Sequence, residues 1–391
     1  MPVKPGIVAR HAEMTAWRRR IHANPETAFE EVATAELVAG LLREFGLEVH
    51  RGLAKTGVVG TLRNGTSGRA IGLRADMDAL HLQELTNLPY RSLVPGKMHA
   101  CGHDGHTAML LGAAQYLAES RNFDGTVHFI FQPAEENVAG GRTMVEDGLF
   151  RLFPVEAVYG MHNMPGIEVG TMAMRPGPMM ASADFFEIDV LGKGAHGAFP
   201  HQGIDPVLIG AEIVLALQRI VARGIDPLQA AVVSVTQFTA GHTTNVIPES
   251  ARLAGTTRAL LPEVQDAIEQ AVRQIAQGIA AAHGASVACR YDRRYPPTIN
   301  TVAETALAAD AARTVVGDAN VRSDLPPVMG AEDFAWMLRE RPGCYVWIGN
   351  GREQGGCHVH NPHYDFNDEI LPIGASYWAA LAEQLLPLAG R

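Results

Sequence analysis

The sequence predicts an α/β protein of two domains: a discontinuous α/β domain interrupted by an inserted ferredoxin-like βαββαβ unit. Three observations predict it. The chain has 391 residues, more than one simple core accommodates. Its first 180 or so residues alternate helix-like and strand-like patterns. A block beginning near Ala183 then reads strand, helix, strand, strand, helix, strand.

The elements follow in order. The N-terminal stretch reads as an amphipathic helix running into a turn, and "VATAELVAGLLREFG" carries apolar residues at helical spacing up to Gly46. "AIGLRADMD" begins as a strand and turns acidic, "TAMLLGAAQYLAES" is a helix, and "GTVHFIFQPAEE" is an apolar strand ending in Pro133, Glu135 and Glu136. "VEAVYGMHNMP" repeats that design, with the strand giving way to His162. In the second block "ADFFEIDVLGKGAHG", "AAVVSVTQFTAG", "SARLAGTTRAL" and "ASVACRYD" are strands, with helices at "DPVLIGAEIVLALQRIVAR" and "PEVQDAIEQAVRQIAQGIAAAHG". After a proline-rich exit, helix and strand patterns resume. The predicted organisation is therefore residues 1–182, an inserted satellite domain over 183–294, and a return to the first domain over 295–391.

Composition narrows the functions. Hydrophobic residues are 47% and charged residues 19%, as in ordinary globular proteins, and the net charge of −10 argues against nucleic acid or an anionic membrane as partner. No run approaches 18 uninterrupted apolar residues, and the N-terminus has no apolar core of signal-peptide length, so a cytoplasmic location is expected. Cys101, Cys289, Cys344 and Cys357 are scattered, which argues against a disulfide framework.

Chemistry-bearing residues gather where strands end: Asp76 and Asp78, Glu135 and Glu136, and His162. Ligand crevices of open α/β sheets lie at the carboxyl ends of strands. "CGHDGH" precedes a helix and is expected in a loop on the same rim, and "CHVHNPHYDFND" forms a late His-rich loop. Each piece alone is ordinary. Strand-end histidines are more often satisfied core or surface residues, Glu-Glu pairs are usually solvated, and an isolated cysteine is usually small core filler. Together, a Cys-x-His pair, a strand-end Glu-Glu, a strand-end His and a late His loop point to a divalent metal site, the alternative being a His-rich, metal-free cleft. Thiolate and imidazoles suit zinc-like or manganese-like ions, and a carboxylate can bridge or cap them. Of two adjacent glutamates, one can bind metal while the other takes a proton from water.

At these residues the sequence resembles the M20 metallopeptidase family, and within it the aminoacylase and hippurate hydrolase branch. The motifs "RRRIHANPETAFEE", "GLRADMDAL", "HACGHDGHTAMLLGAA", "FQPAEE", "GMHNMP", "GKGAHGAFPHQGIDP", "NVIPESARLAGTTRA", "GAEDFAWM" and "HNPHYDFNDEILPIGA" span nearly the whole chain. The resemblance implies a zinc-peptidase-like catalytic domain with a satellite dimerisation domain, and hydrolysis of N-acyl amino acids; a carboxypeptidase or dipeptidase is the alternative. It implies metal ligands at Cys101, His103, Glu136, His162 and His360, Glu135 as general base, and Asp78 orienting a ligand. It further implies His196 as oxyanion donor, Asn245 and Arg258 on the substrate carboxylate, and a homodimer. One or two divalent ions per subunit are expected, manganese or zinc, with cobalt or nickel as options. Much of the wider family has a ligand histidine where this chain has Asp76. His99, His106, His358 and His363 are read as bystanders or supports, and His201 and His242 as weaker candidates in satellite loops. "GAEDF" is read as a helix start in which Glu332 and Asp333 favour the dipole. A catalytically silent metal-binding or scaffold protein is the rival from another class; it should lack the base or a ligand, and both are present.

Overall fold

The computed structural model describes residues 3–351 and 357–388. The chain divides into two compact units, one formed by Met1–Met179, Ile299–Pro326 and Asp333–Arg391, the other by Met180–Thr298 with Pro327–Glu332.

The first unit is built on a mixed eight-stranded sheet. Its strands lie in the order Glu48–Leu53, Gly57–Asn64, Gly125–Gln132, Ala70–Asp76, Ala157–Pro165, Gly343–Gly351, Met172–Ala173 and Val321–Arg322. Ala70–Asp76 runs parallel to both Gly125–Gln132 and Ala157–Pro165, and Gly343–Gly351 runs parallel to the latter. These central strands are buried along almost their whole length. That accounts for their unbroken apolar runs, since parallel strands are covered on both faces. Helices His103–Ser120, Val302–Val316 and Leu371–Leu385 supply much of the apolar cover, with Leu110, Leu111, Leu117, Val315, Trp378 and Leu381 in one continuous core. The register pairs Asp76 with Gln132, so neighbouring parallel strands finish side by side.

Two sequence expectations shift here. Ala157–Pro165 does not give way at His162 but continues three residues further, because Gly343–Gly351 goes on pairing with it: Trp347 stands opposite His162 and Gly349 opposite Met164. The "CGHDGH" stretch is not wholly a loop either. The helix begins at His103, inside the motif, behind Gly102 at φ 98°.

The second unit carries an antiparallel four-stranded sheet in the order Ala231–Ala240, Ser250–Ala259, Ala183–Leu191 and Ser286–Tyr295, with helices Pro206–Arg219 and Pro262–Ala282. This is the ferredoxin-like βαββαβ order. Alternating burial along Ser250–Ala259 marks a sheet with one covered face, and Ile209, Ile213, Leu217, Ile268 and Val272 from the helices close the core over Ile188 and Leu253. Among the described residues no helix is long and apolar enough to cross a membrane.

Candidate metal centre

The strand ends of the first unit do bring distant residues together. Ligand atoms of Cys101, His103 and His162 lie within 4.8 Å of one another, and so do those of Cys101, Glu136 and His360. Cys101 is common to both sets. His103, Glu135 and Glu136 form a further group within the same limit.

Local backbone explains how each donor arrives. Gly102 adopts a left-handed conformation, and a Cβ there would stand 2.1 Å from Asn163 Oδ1, so only glycine lets the chain turn from Cys101 into the helix. Two residues later, a Cβ on Gly105 would meet the Phe366 ring at 2.2 Å. That close approach seats the first helical turn, and His103 with it. Glu135 and Glu136 open a four-residue helical turn behind left-handed Ala134. The strand stops at Gln132, as Pro133 suggested, and both glutamates follow its end. His360 is itself left-handed, at φ 64°, with its N–H donating to Ala100 O at 2.7 Å.

The imidazoles are oriented from behind. His103 Nδ1 lies 2.9 Å from Asp78 O and 3.1 Å from Asp78 Oδ1, and as the donor it leaves Nε2 as a lone pair. That Nε2 is buried without a hydrogen-bond partner among the described residues. His162 Nδ1 faces Asn163 O at 2.6 Å, which turns its Nε2 toward Cys101 Sγ, 3.3 Å away. His360 Nε2 lies 3.2 Å from Glu136 Oε1, and its side chain is half exposed.

The electrostatics fit a cation. Burial pushes the Cys101 thiol well above its usual range, and the carboxylates of Glu136, Glu135 and Asp76 push it further, so a thiolate here needs a nearby positive charge. Burial pulls the His103 pKa down, but Asp76 and Asp78 outweigh it and raise it to about 10: these carboxylates favour a positive charge on the ring, which a proton or a cation at Nε2 supplies. The lone buried Nε2, the thiol among carboxylates and the soft-and-hard donor mixture suit a divalent transition ion.

Asp76 is held on all sides. Arg74 Nη1 donates to its Oδ2 at 2.8 Å, and His106 Nδ1 lies 2.6 Å from its Oδ1. Of the two roles left open for His106, bystander or support, the structure shows support: it spans Asp76 and Asn163, at 2.6 and 2.7 Å. Its position three residues after His103 on one helix face was the available signal. His99 is buried with neither ring nitrogen hydrogen-bonded among the described residues, while His358 and His363 are exposed. Asp333 does not serve a helix dipole. The short helix starts at Ala335, and the Asp333 carboxylate accepts from Arg74, Gln132 and Gly141 N–H instead.

In the second unit His196 and Asn245 come together. His196 pairs across a short ladder with Val246, and Gly197 N–H donates to Asn245 O at 2.8 Å. The His196 ring is exposed and rests 5.3 Å from that of Phe199. Arg258 is half-buried over the Phe185 ring, donates to Thr257 O at 2.8 Å, and has no carboxylate within ion-pair distance among the described residues. His201 and His242 are exposed in the same unit.

Comparison with known proteins follows the same lines. The family model described as peptidase family M20/M25/M40 matches residues 72–384. A hippurate hydrolase of Campylobacter jejuni is 43% identical over 386 residues, covering 99% of this chain and all of that protein. An N-acetylcysteine deacetylase of Bacillus subtilis is 41% identical, covering 96% of this chain and 97% of the relative. A crystal structure of a Bacillus subtilis dinuclear metal-binding peptidase superposes with a TM-score of 0.85 at 37% identity, over 97% of this chain and 99% of that one.

Proposed function

This chain belongs to the peptidase family M20/M25/M40, and on that premise we propose that it is a metal-dependent amidohydrolase. Its substrates would be N-acyl amino acids of the hippurate or N-acetyl kind, cleaved to a carboxylic acid and a free amino acid. The relatives named for those two activities support this substrate class. The observation that carries the reading is Cys101 shared between two donor sets, with buried Glu135 grouped beside His103 and Glu136.

Cys101, His103, Glu136, His162 and His360 would hold one or two divalent cations, manganese or zinc, with cobalt or nickel as substitutes. Ions held there supply positive charge that polarises a carbonyl and makes water acidic near neutral pH. Glu135 takes the proton of the attacking water and then delivers it to the leaving amine. Asp78 fixes the ring of His103. His196 donates to the oxyanion as the carbonyl becomes tetrahedral. Asn245 and Arg258 hold the substrate carboxylate, Arg258 through its planar fork. We read the assembly as a cytoplasmic homodimer joined through the satellite unit.

The test combines two arms. Product release is measured with hippurate, N-acetyl amino acids and dipeptides, for the wild type and Glu135→Gln, after chelation and after add-back of single metals. Acyl substrates should be preferred, chelation should abolish turnover, and Glu135→Gln should lose at least three orders of magnitude. Full turnover by Glu135→Gln or by metal-free protein would sink the reading; preference for dipeptides would shift it to a peptidase.

A further inference from the structure

The turn that carries Glu135 is a poor structure on its own. Ala134 and Ala139, at its two ends, are both left-handed, at φ 57° and 55°. For a residue with a Cβ that conformation costs roughly 1–2 kcal/mol, and only four helical residues lie between them. Something outside the turn must hold it.

Three buried carboxylates do so, each accepting a main-chain N–H of the segment. Glu31 Oε1 accepts from Ala134 N at 2.9 Å, Asp78 Oδ2 from Glu136 N at 2.9 Å, and Asp333 Oδ2 from Gly141 N at 2.7 Å. Asp78 was expected to orient a ligand; neither Glu31 nor Asp333 was expected to hold this turn. Glu31 comes from the N-terminal region, is fully buried, and its Oε1 also accepts from Phe29 N at 3.1 Å while Oε2 accepts from Thr56 Oγ1 at 2.6 Å. Phe29 is left-handed too, so one oxygen pins two unfavourable backbone conformations. Asp333 is equally buried, and its own N–H donates to Glu135 Oε1 at 3.3 Å. It therefore grips the segment at Gly141 and the base itself.

We propose that Glu31 and Asp333 are positioning residues for the general base, two buried carboxylates of which one holds Ala134 ahead of the Glu135–Glu136 turn and the other holds Gly141 in the helix that follows it. The proposal rests on Glu135 being the base. A displacement of about 1 Å in a reacting group can cost on the order of 100-fold in rate. One side-chain oxygen that accepts from two main-chain N–H groups, as Glu31 Oε1 does, ties both positions to a single point. Neither residue belongs to the donor sets around Cys101; Asp333 does group with Glu135 and Glu332 within 4.8 Å, but its carboxylate is already engaged by Arg74, Gln132 and Gly141, so the effect of both residues should fall on turnover and leave metal content alone.

The two positions differ in what an amide can replace. In Glu31→Gln the side-chain oxygen can keep both N–H groups, and Thr56 can turn its hydroxyl to accept from the amide nitrogen. In Asp333→Asn one of two oxygens that both accept from donors becomes a donor itself, and the contact fails. Glu31→Asp keeps the charge but withdraws it from Ala134 by one methylene. The experiment measures kcat, KM, metal per subunit, thermal melting, and hydrogen–deuterium exchange of the segment 133–142 in wild type, E31Q, E31D, E31A and D333N, with E135Q alongside. Expected results are kcat lower by 10- to 100-fold in E31D, E31A and D333N, KM within threefold, unchanged metal content, and at least tenfold faster exchange in that segment. E31Q should stay within threefold of wild type in kcat and exchange like it. If E31A does not fold, E31D and D333N carry the same test. Wild-type kcat in E31D and D333N overturns the proposal, as does a loss in E31Q as deep as in E31D, or metal content falling in step with kcat. An active E135Q is a different failure, that of the base assignment.

Discussion

Replacing Arg74 by Met probes the buried frame behind the metal centre. The Arg74 side chain is fully buried, and so are its partners Asp76 and Asp333. Its Nη1 donates to Asp76 at 2.8 Å, Nη2 to Asp333 at 3.0 Å, and Nε to Gln132 Oε1 at 2.8 Å. Methionine fills similar space with a flexible apolar chain, so the main loss is charge. Breaking a buried pair while leaving its anion behind costs about 3–5 kcal/mol. Here two anions are left, although they share other donors, and we expect the same range rather than its double. At roughly 2–4 °C per kcal/mol for domains of this size, melting should fall by roughly 6–20 °C.

Arg69→Met is the matched control. Arg69 pairs with Glu156 at 3.0 Å, but both side chains are about half exposed, at 50% and 52%. Such pairs contribute about 0–1 kcal/mol, so melting should change by less than about 4 °C. The assay is calorimetry on chelated protein, because ligand binding to the folded state would otherwise mask the difference. Two compact units need not melt together, so the transition belonging to the first unit is the one compared. If Arg74→Met melts within 2 °C of the control, Asp76 and Asp333 do not stand there as anions, and the electrostatic account of the strand ends is wrong.

Two other outcomes are expected. Burial lowers the pKa of His22, but its hydrogen bonds to Asp104 and Glu84 outweigh that and raise it to about 9; since this lies above the unfolded value of about 6.5, the stabilisation is complete below pH 6.5 and fades as pH rises through 9. Wild-type stability should therefore drop by up to about 3 kcal/mol more than that of His22→Gln across this window in urea melts, and parallel profiles would refute the pairing. Arg258→Met should raise KM for an acyl amino acid by 10- to 100-fold with little change in kcat, whereas an unchanged KM would remove Arg258 from the substrate site.

How much of this was legible beforehand depends on range. Part of the site could be read because it follows short apolar runs, and strand ends are local events: Asp76 and Asp78 after "AIGLRA", Glu135 and Glu136 after "FIFQPA"; the ligand set at Cys101, His103, Glu136, His162 and His360 came from the motifs that resemble the family. The satellite order was legible for the same reason, from helix and strand periods alternating within one block. The supports were not. Glu31 lies 103 residues from Ala134, and Asp333 lies 259 residues from Arg74. Nothing local distinguishes Glu31 from its exposed neighbour Glu30, whose carboxylate pairs with Lys97. The strand end at His162 was placed three residues too early because the strand's length is set by its partner Gly343–Gly351, far along the chain.

The same contrast separates two buried polar clusters of the first unit, one proposed as a metal site and the other read as scaffold. Asp104 has its own cations close by: Arg18 Nη1 at 3.5 Å and His22 Nδ1 at 2.9 Å, with Arg18 also paired to Asp365 and Asp368. Each of these three carboxylates has a cationic side chain of the protein within 3.5 Å. Around Cys101 the balance is different. Asp76, Asp78, Glu135, Glu136 and Asp333 gather there; Arg74 is spent on Asp76 and Asp333, and the other positive groups facing them are imidazoles, His103 beside Asp78, His106 beside Asp76 and His360 beside Glu136. Buried carboxylates in excess of fixed cations either carry protons or recruit positive charge. With an unpartnered imidazole nitrogen and a thiol facing the same point, recruitment of a divalent ion satisfies both the charge and the donors. The amino acids that look over-supplied at the strand ends are thus the reason a cation belongs there.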